Sequence, residues 1–146
     1  MKSRSDIKIF IVGGGEIGRS LAGQLSRDGY ELTLIDRNQD VVKSLSNSFD
    51  IICFEGNGAS YTTLQELSAG KADIWIAVTE SDELNILSCM TAHMMGAKHT
   101  IARIRDVDYA RQNHFYKDKL GLSMIINPEL ATALEILRLL RFPLAT

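Results

Sequence analysis

Gly13, Gly15 and Gly18 follow the apolar run Ile9-Phe10-Ile11-Val12 at once, in Gly-x-Gly-x-x-Gly spacing. Each position answers a need of a diphosphate laid against backbone. Gly13 permits the tight turn out of a strand, Gly15 carries no side chain to hold a pyrophosphate away, and Gly18 lets the next helix pack close to the sheet. The free N–H groups and the positive dipole end of that helix would then face the phosphates. Glycines gather in turns for many reasons, so the spacing alone decides little. Here a strand precedes it, and a second strand ends in an acid, Asp36, 18 residues beyond Gly18. That is where a ribose-binding carboxylate belongs. The pattern points to nucleotide binding, with a purely structural turn as the alternative.

Asp36 would accept hydrogen bonds from both hydroxyls of an adenosine ribose and repel a 2'-phosphate, which favours NAD over NADP. Arg37 beside it works the other way, because a guanidinium can pair with a phosphate there. ATP, ADP and AMP share the same ribose diol, so the acid does not choose among them. Gly56-Asn57-Gly58 follows a third strand, where backbone and the Asn57 amide could border an adenine edge; a simple turn is the rival. Val78 and Thr79 end a fourth strand and could meet the phosphates or the second nucleoside. Asn85, one turn into the next helix, and Arg103, at the end of a fifth strand, could converge on the same crevice. A guanidinium on an otherwise apolar strand is costly unless paired. Phosphate is one natural partner for Arg103, and a nearby acid such as Asp106 is the other.

Other reactive residue types point elsewhere. His93, His99 and His114 have no serine or cysteine beside them to suggest a triad, and they read as surface or packing residues. Cys53 and Cys89 fall in apolar company, as buried free thiols would; two cysteines without histidines at ligand spacing make no zinc site. Met90, Met94 and Met95 have helical spacing and suit a core or an oligomer contact. No catalytic or metal-binding residue is assigned.

The elements that must carry these residues alternate regularly. Strands are predicted over residues 8–12, 31–36, 50–54, 73–79, 98–104 and 123–126. Between them lie helices: one ending at Gly29, one capped by Asn38, one capped by Ser60 and over by Gly70, one capped by Ser81 and ending at Gly96, and a polar one over 108–119. Such alternation means a parallel sheet with right-handed crossovers. The expected fold is α/β: a three-layer, doubly wound sheet of six parallel strands in order 3-2-1-4-5-6. Residues 1–127 would form the nucleotide-binding domain. Residues 128–146 would form a last helix, capped by Asn127 with Pro128 at its first position, apolar over most of its circumference and so needing cover from another subunit or lobe.

Composition agrees. A chain of 146 residues with 45% hydrophobic and 23% charged residues fits one globular domain. A net charge of -2 offers no basic surface for nucleic acid. No apolar run reaches membrane-spanning length, and the polar start Met1-Lys2-Ser3-Arg4 predicts no signal peptide.

Taken together, Ile11-Val12-Gly13-Gly14-Gly15-Glu16-Ile17-Gly18, Leu34-Ile35-Asp36, Gly56-Asn57-Gly58, Ala72-Asp73 with Val78-Thr79, Asp82-Glu83-Leu84-Asn85, and Ala102-Arg103 resemble the N-terminal RCK (KTN) domain of TrkA-type potassium-uptake regulators. The likeness runs over nearly the whole chain. It implies a cytoplasmic regulatory subunit, peripheral to the inner face of the membrane, assembled on a membrane potassium channel or transporter. Bound NAD(H), or an adenine nucleotide, would shift a homodimer or larger ring joined through the last, crossover helix. The resemblance places Gly13, Gly15, Glu16, Ile17 and Gly18 along the pyrophosphate, Asp36 on the ribose, and Asn57 and Gly58 at the adenine. Thr79, Asn85 and Arg103 would face the far half of the ligand. Relatives that favour ATP often carry a basic residue in the glycine loop; Glu16 and Ile17 stand there instead, which tilts the expectation to NAD(H). The alternative is the coenzyme domain of an NAD-dependent dehydrogenase, which would need a substrate pocket and an acid–base residue beside the nicotinamide.

Overall fold

The computed structural model of the protein describes residues 3–127 together with Arg138 and Leu140. Within them six strands and six α-helices alternate. Strand β1 (Lys8–Val12) leads to α1 (Glu16–Arg27), and β2 (Glu31–Asp36) to α2 (Gln39–Ser48). Next come β3 (Ile52–Glu55), α3 (Tyr61–Glu66), β4 (Ile74–Ala77) and α4 (Asp82–Met95). The chain continues through β5 (His99–Arg103), α5 (Val107–Ala110), α6 (Asn113–Lys119) and β6 (Met124–Ile126). Every ladder is parallel and the strand order is β3-β2-β1-β4-β5-β6, as the alternation predicted.

The period of two in β1 builds both sides of the core. Ile9 and Ile11 point into one cluster with Leu21 and Leu25 of α1 and Leu45 of α2. Phe10 and Val12 point into the other, with Leu64 of α3, Cys89 and Ala92 of α4 and Tyr116 of α6. Helices therefore cover both faces. That is why β4, Ile-Trp-Ile-Ala, has no polar residue: it is buried on both sides. Trp75 is fully buried and stacks on Phe10, with ring centroids 5.0 Å apart.

Helix boundaries follow local chemistry. The Asn38 side chain accepts from the N–H groups of Asp40 and Val41, and the Ser81 hydroxyl accepts from Leu84 N–H, so both act as the N-caps expected of them. Gly96 ends α4 in the left-handed region, at φ +118°. Ser60 precedes α3 without a side-chain cap bond. β3 starts two residues later than the apolar run suggested, because its register is set by β2: Thr33 pairs with Ile52 and Asp36 with Glu55. β4, β5 and β6 are each shorter than predicted, their ends bending into the loops. The expected helix over 108–119 is two helices, with Asp106 capping the first and the Tyr109 and Tyr116 rings meeting edge to face across the break. Met94 is 82% exposed, while Met90 and Met95 pack against the core.

Asp73 lies at the end of the sheet away from the glycine loop. Its carboxylate accepts from Lys8 N–H at 2.8 Å and pairs with Lys98 at 3.4 Å, which ties β1, β4 and β5 together. Of the expected last helix, Arg138 and Leu140 are described; both are helical, and Leu140 is buried in the cluster beneath α1. The rest of that helix, Pro128 included, lies outside the described residues. Among the described residues no helix is long and apolar enough to cross a membrane.

Candidate functional site

A crevice of about 1000 Å³ runs along the C-terminal edge of the sheet, over the ends of β2, β1, β4 and β5. Between β1 and β4 the strand order reverses direction, and open parallel sheets gather ligands at such a point.

The chain turns at Gly13, whose φ of +109° and closeness to the Val78–Thr79 backbone (3.0 Å to Thr79 N for an added Cβ) exclude other residues. Its N–H is held by Ile35 C=O at 2.9 Å. Gly18 lies beneath the turn, where an added Cβ would stand 1.8 Å from the Gly13 carbonyl oxygen. Gly18 therefore brings α1 against the loop rather than touching a ligand, and it does not line the crevice. Gly15 behaves oppositely. Nothing lies within 4 Å of where its Cβ would be, so the missing side chain leaves open space in the crevice. As N-cap, Gly15 also has no side chain to bond the first N–H groups of α1, which leaves them for an anion. Glu16 and Ile17 line the same stretch.

Asp36 closes the near end and has two structural bonds of its own. Its Oδ2 accepts from Gly14 N–H at 2.7 Å and its Oδ1 from Asn38 N–H at 2.8 Å. A carboxylate offers about four acceptor positions, so these two bonds brace the turn and leave capacity for a diol. No side chain pairs with it in an ion bridge among the described contacts, and Arg37 lines the crevice beside it.

The far rim differs from expectation in two respects. Asn57 does not line the crevice: its Oδ1 turns back to accept from Ala59 N–H at 3.0 Å, and the loop meets the crevice through Gly56 and Gly58. Asn85 does not line it either. It is fully buried, and a buried amide must find partners inside the protein. Asn85 accepts from the N–H and hydroxyl of Thr79 at 2.9 and 2.7 Å and donates to the carbonyls of Thr79 and Arg103 at 3.0 and 2.9 Å. Arg103 lines the crevice as expected, and of its two open partners Asp106 is taken up in capping α5; the guanidinium donates to Thr79 C=O at 3.0 Å. Burial and the neighbouring Arg105 lower the Arg103 pKa, and its Nε is buried without a hydrogen-bond partner. That orphaned donor, on a residue that lines the crevice, marks a place for an acceptor.

Val78 and Thr79 line the crevice as expected, and so does Arg105, which the sequence reading missed. Arg105 follows the strand in a loop, with no periodic signal to mark it. Its backbone N–H is fixed by both oxygens of Asp82, each at 3.0 Å, and its guanidinium donates to Glu80 C=O at 2.7 Å. Cys53 and Cys89 are both free. Burial pushes the Cys89 thiol up to about 12, so it is inert packing rather than a nucleophile.

The residues thus fit a dinucleotide or an adenine nucleotide: open backbone at Gly15, a carboxylate with spare acceptor capacity, and cationic far-rim donors. The chain is 32% identical over 140 residues to the Trk system potassium uptake protein TrkA of Haemophilus influenzae, covering 94% of this chain and 31% of that protein's length. Among solved structures, the TrkA-N domain of the inner membrane protein ybaL from Escherichia coli shares the fold, with a TM-score of 0.74 at 21% identity over 92% of this chain and 96% of that one. The GsuK channel bound to NAD shares it too, with a TM-score of 0.71 at 18% identity over 86% of this chain and 22% of that one. The TrkA-N domain model matches residues 9–128, and the chain belongs to the TrkA-N domain family.

Proposed function

We propose that this domain senses NAD(H) and, through it, regulates a membrane potassium uptake system. The observation that carries the reading is the crevice itself, where Gly15 leaves room at the N-terminus of α1 while Asp36 stands ready at the end of β2. Gly13, Gly15, Glu16 and Ile17 would hold the pyrophosphate, Asp36 the adenosine ribose, and Gly58 the adenine. Thr79 and Arg103 would face the second half of the ligand, and Arg37 would sit at the ribose edge. The bound group supplies a signal, a change of binding state, rather than a reaction. Glu16 sits where each added phosphate brings more negative charge, which favours NAD(H) over ATP. The named function of the H. influenzae relative supports the link to potassium uptake. On the same proposal the chain acts as a cytoplasmic regulator at the membrane's inner face, with a domain of residues 1–127 joined to an assembly helix over 128–146 and a homodimer or ring on the channel or transporter.

A ligand panel tests this directly. NAD or NADH at about 100 times its dissociation constant should stabilise the domain by about 2.7 kcal/mol. NADPH should stabilise it little, because its 2'-phosphate would meet the Asp36 carboxylate. ADP and AMP, with the same diol, should fall between. Equal stabilisation by NADPH would remove the role given to Asp36, and hydride transfer to a small substrate would favour a dehydrogenase instead.

A further inference from the structure

Helix α4 turns a row of polar side chains into the protein: Asp82, 8% exposed, and Asn85 and Ser88, both fully buried. Spaced three apart, they share one face over the two turns nearest the crevice. Buried polar groups of this kind persist only when bonded. Each of these is bonded to a different loop of the crevice rim. Asp82 accepts the N–H groups of Arg105 and, at 2.8 Å, Asp106 in the loop after β5. Asn85 spends all four hydrogen-bonding positions of its amide on Thr79, after β4, and on the Arg103 carbonyl at the end of β5. The Ser88 hydroxyl donates to the Gly58 carbonyl, after β3, and accepts from the Trp75 indole N–H at 2.9 Å.

Gly58, Thr79, Arg103 and Arg105 all line the crevice, whereas Asp82, Asn85, Ser88 and Trp75 do not. The rim is therefore not three independent loops. It is anchored to one helix by bonds from buried side chains, the Asn85 amide fully saturated, so a loop that shifts must carry α4 with it or leave a buried group unpaired.

We propose that Asp82, Asn85 and Ser88 are positioning residues that join the rim loops into one unit and pass occupancy of the crevice into α4, with Ser88 linking Gly58 to Trp75. This rests on the nucleotide reading of the same crevice. A ligand spanning Gly58 and Arg103 presses on two loops that share the helix, so the two halves of the ligand are felt together.

Trp75 is the only tryptophan in the chain, which makes it a reporter of the link. The test compares indole emission, excited at the red edge, with calorimetric binding of NAD to the same protein. The unaltered chain should change its emission on saturation, although Trp75 touches no ligand. Ser88→Ala should still bind NAD by calorimetry but lose that change. NAD bound without any change in emission, or a change that Ser88→Ala retains in full, would overturn the proposal and leave the nucleotide reading standing. Absence of heat with NAD, ADP and AMP alike would overturn both. If Ser88→Ala does not fold, Asp82→Asn serves with hydrogen exchange as readout. Bound NAD should slow exchange at the Arg105 and Asp106 N–H groups of the unaltered chain and fail to slow it in the variant. Equal slowing in both would refute the coupling.

Discussion

Gly15→Ala separates binding from stability more cleanly than any other change in the glycine loop. Gly15 has φ −74° and ψ −160°, which alanine adopts without strain, and an added Cβ meets nothing within 4 Å. Two opposing effects act on the free protein. Restricting the unfolded chain stabilises by about 0.4–1 kcal/mol. Alanine is a poorer N-cap than glycine, which costs a similar amount. They offset, so the melting temperature of the free domain should move by less than about 4 °C. The bound state is different, because the methyl group would fill the open space at Gly15 where the proposed function puts the pyrophosphate. At 100 times the dissociation constant of the unaltered protein, NAD should contribute about 2.7 kcal/mol, or roughly 5–11 °C for a chain of this size. A hundredfold loss of affinity in the variant leaves about 0.4 kcal/mol at the same concentration, close to the noise of a melt. Thermal shift with and without NAD, checked by calorimetry, measures both quantities. A Gly15→Ala protein that is stable and still shows the full shift would refute the placement of the pyrophosphate on this backbone.

Gly18→Ala should do the reverse and fail before any ligand is added. Its Cβ would overlap the Gly13 carbonyl oxygen, and forcing α1 off the loop should cost about 3 kcal/mol or more, read as a lower melting temperature of the free domain. Asp36→Ala should cost the free protein about 1–2 kcal/mol, because two backbone amides lose a partly solvated carboxylate acceptor, and should also remove most of the NAD-induced shift. Alkaline pH supplies a further check. The folded Cys89 thiol is raised from 9.0 to about 12, so folding keeps a proton that the unfolded chain releases. Its stabilising contribution is complete below about pH 9 and is lost as pH rises toward 12; Tyr116, raised by burial, acts in the same sense. Denaturation midpoints measured across that window should fall with pH, and Cys89→Ala should flatten the fall.

What the sequence determined by itself is what short stretches of chain decide. The five residues of β1 and six of β2 alternate or run apolar strongly enough to be bounded correctly, and the Asn38 and Ser81 caps and the Gly96 stop need only their neighbours in the chain. The order of the sheet followed as well, because right-handed crossovers leave few ways to wind alternating strands and helices. That Asp36, Gly13 and Gly15 would line one crevice was legible for the same reason, since each stands at the turn that ends its own strand.

Only the tertiary structure decided which polar side chains face the crevice and which are consumed in holding it together. Asn57 and Asn85 carry the right groups for a ligand, but one closes its own turn and the other is saturated by the ends of β4 and β5. Arg105 enters the crevice because Asp82, 23 residues earlier, pins its backbone, and Ser88 matters because Gly58, 30 residues earlier, lies against it. A hydrogen bond between residues far apart in the chain leaves no periodic trace in composition or spacing. It exists only once the sheet has brought its loops to one edge, and that edge is where the proposed site lies.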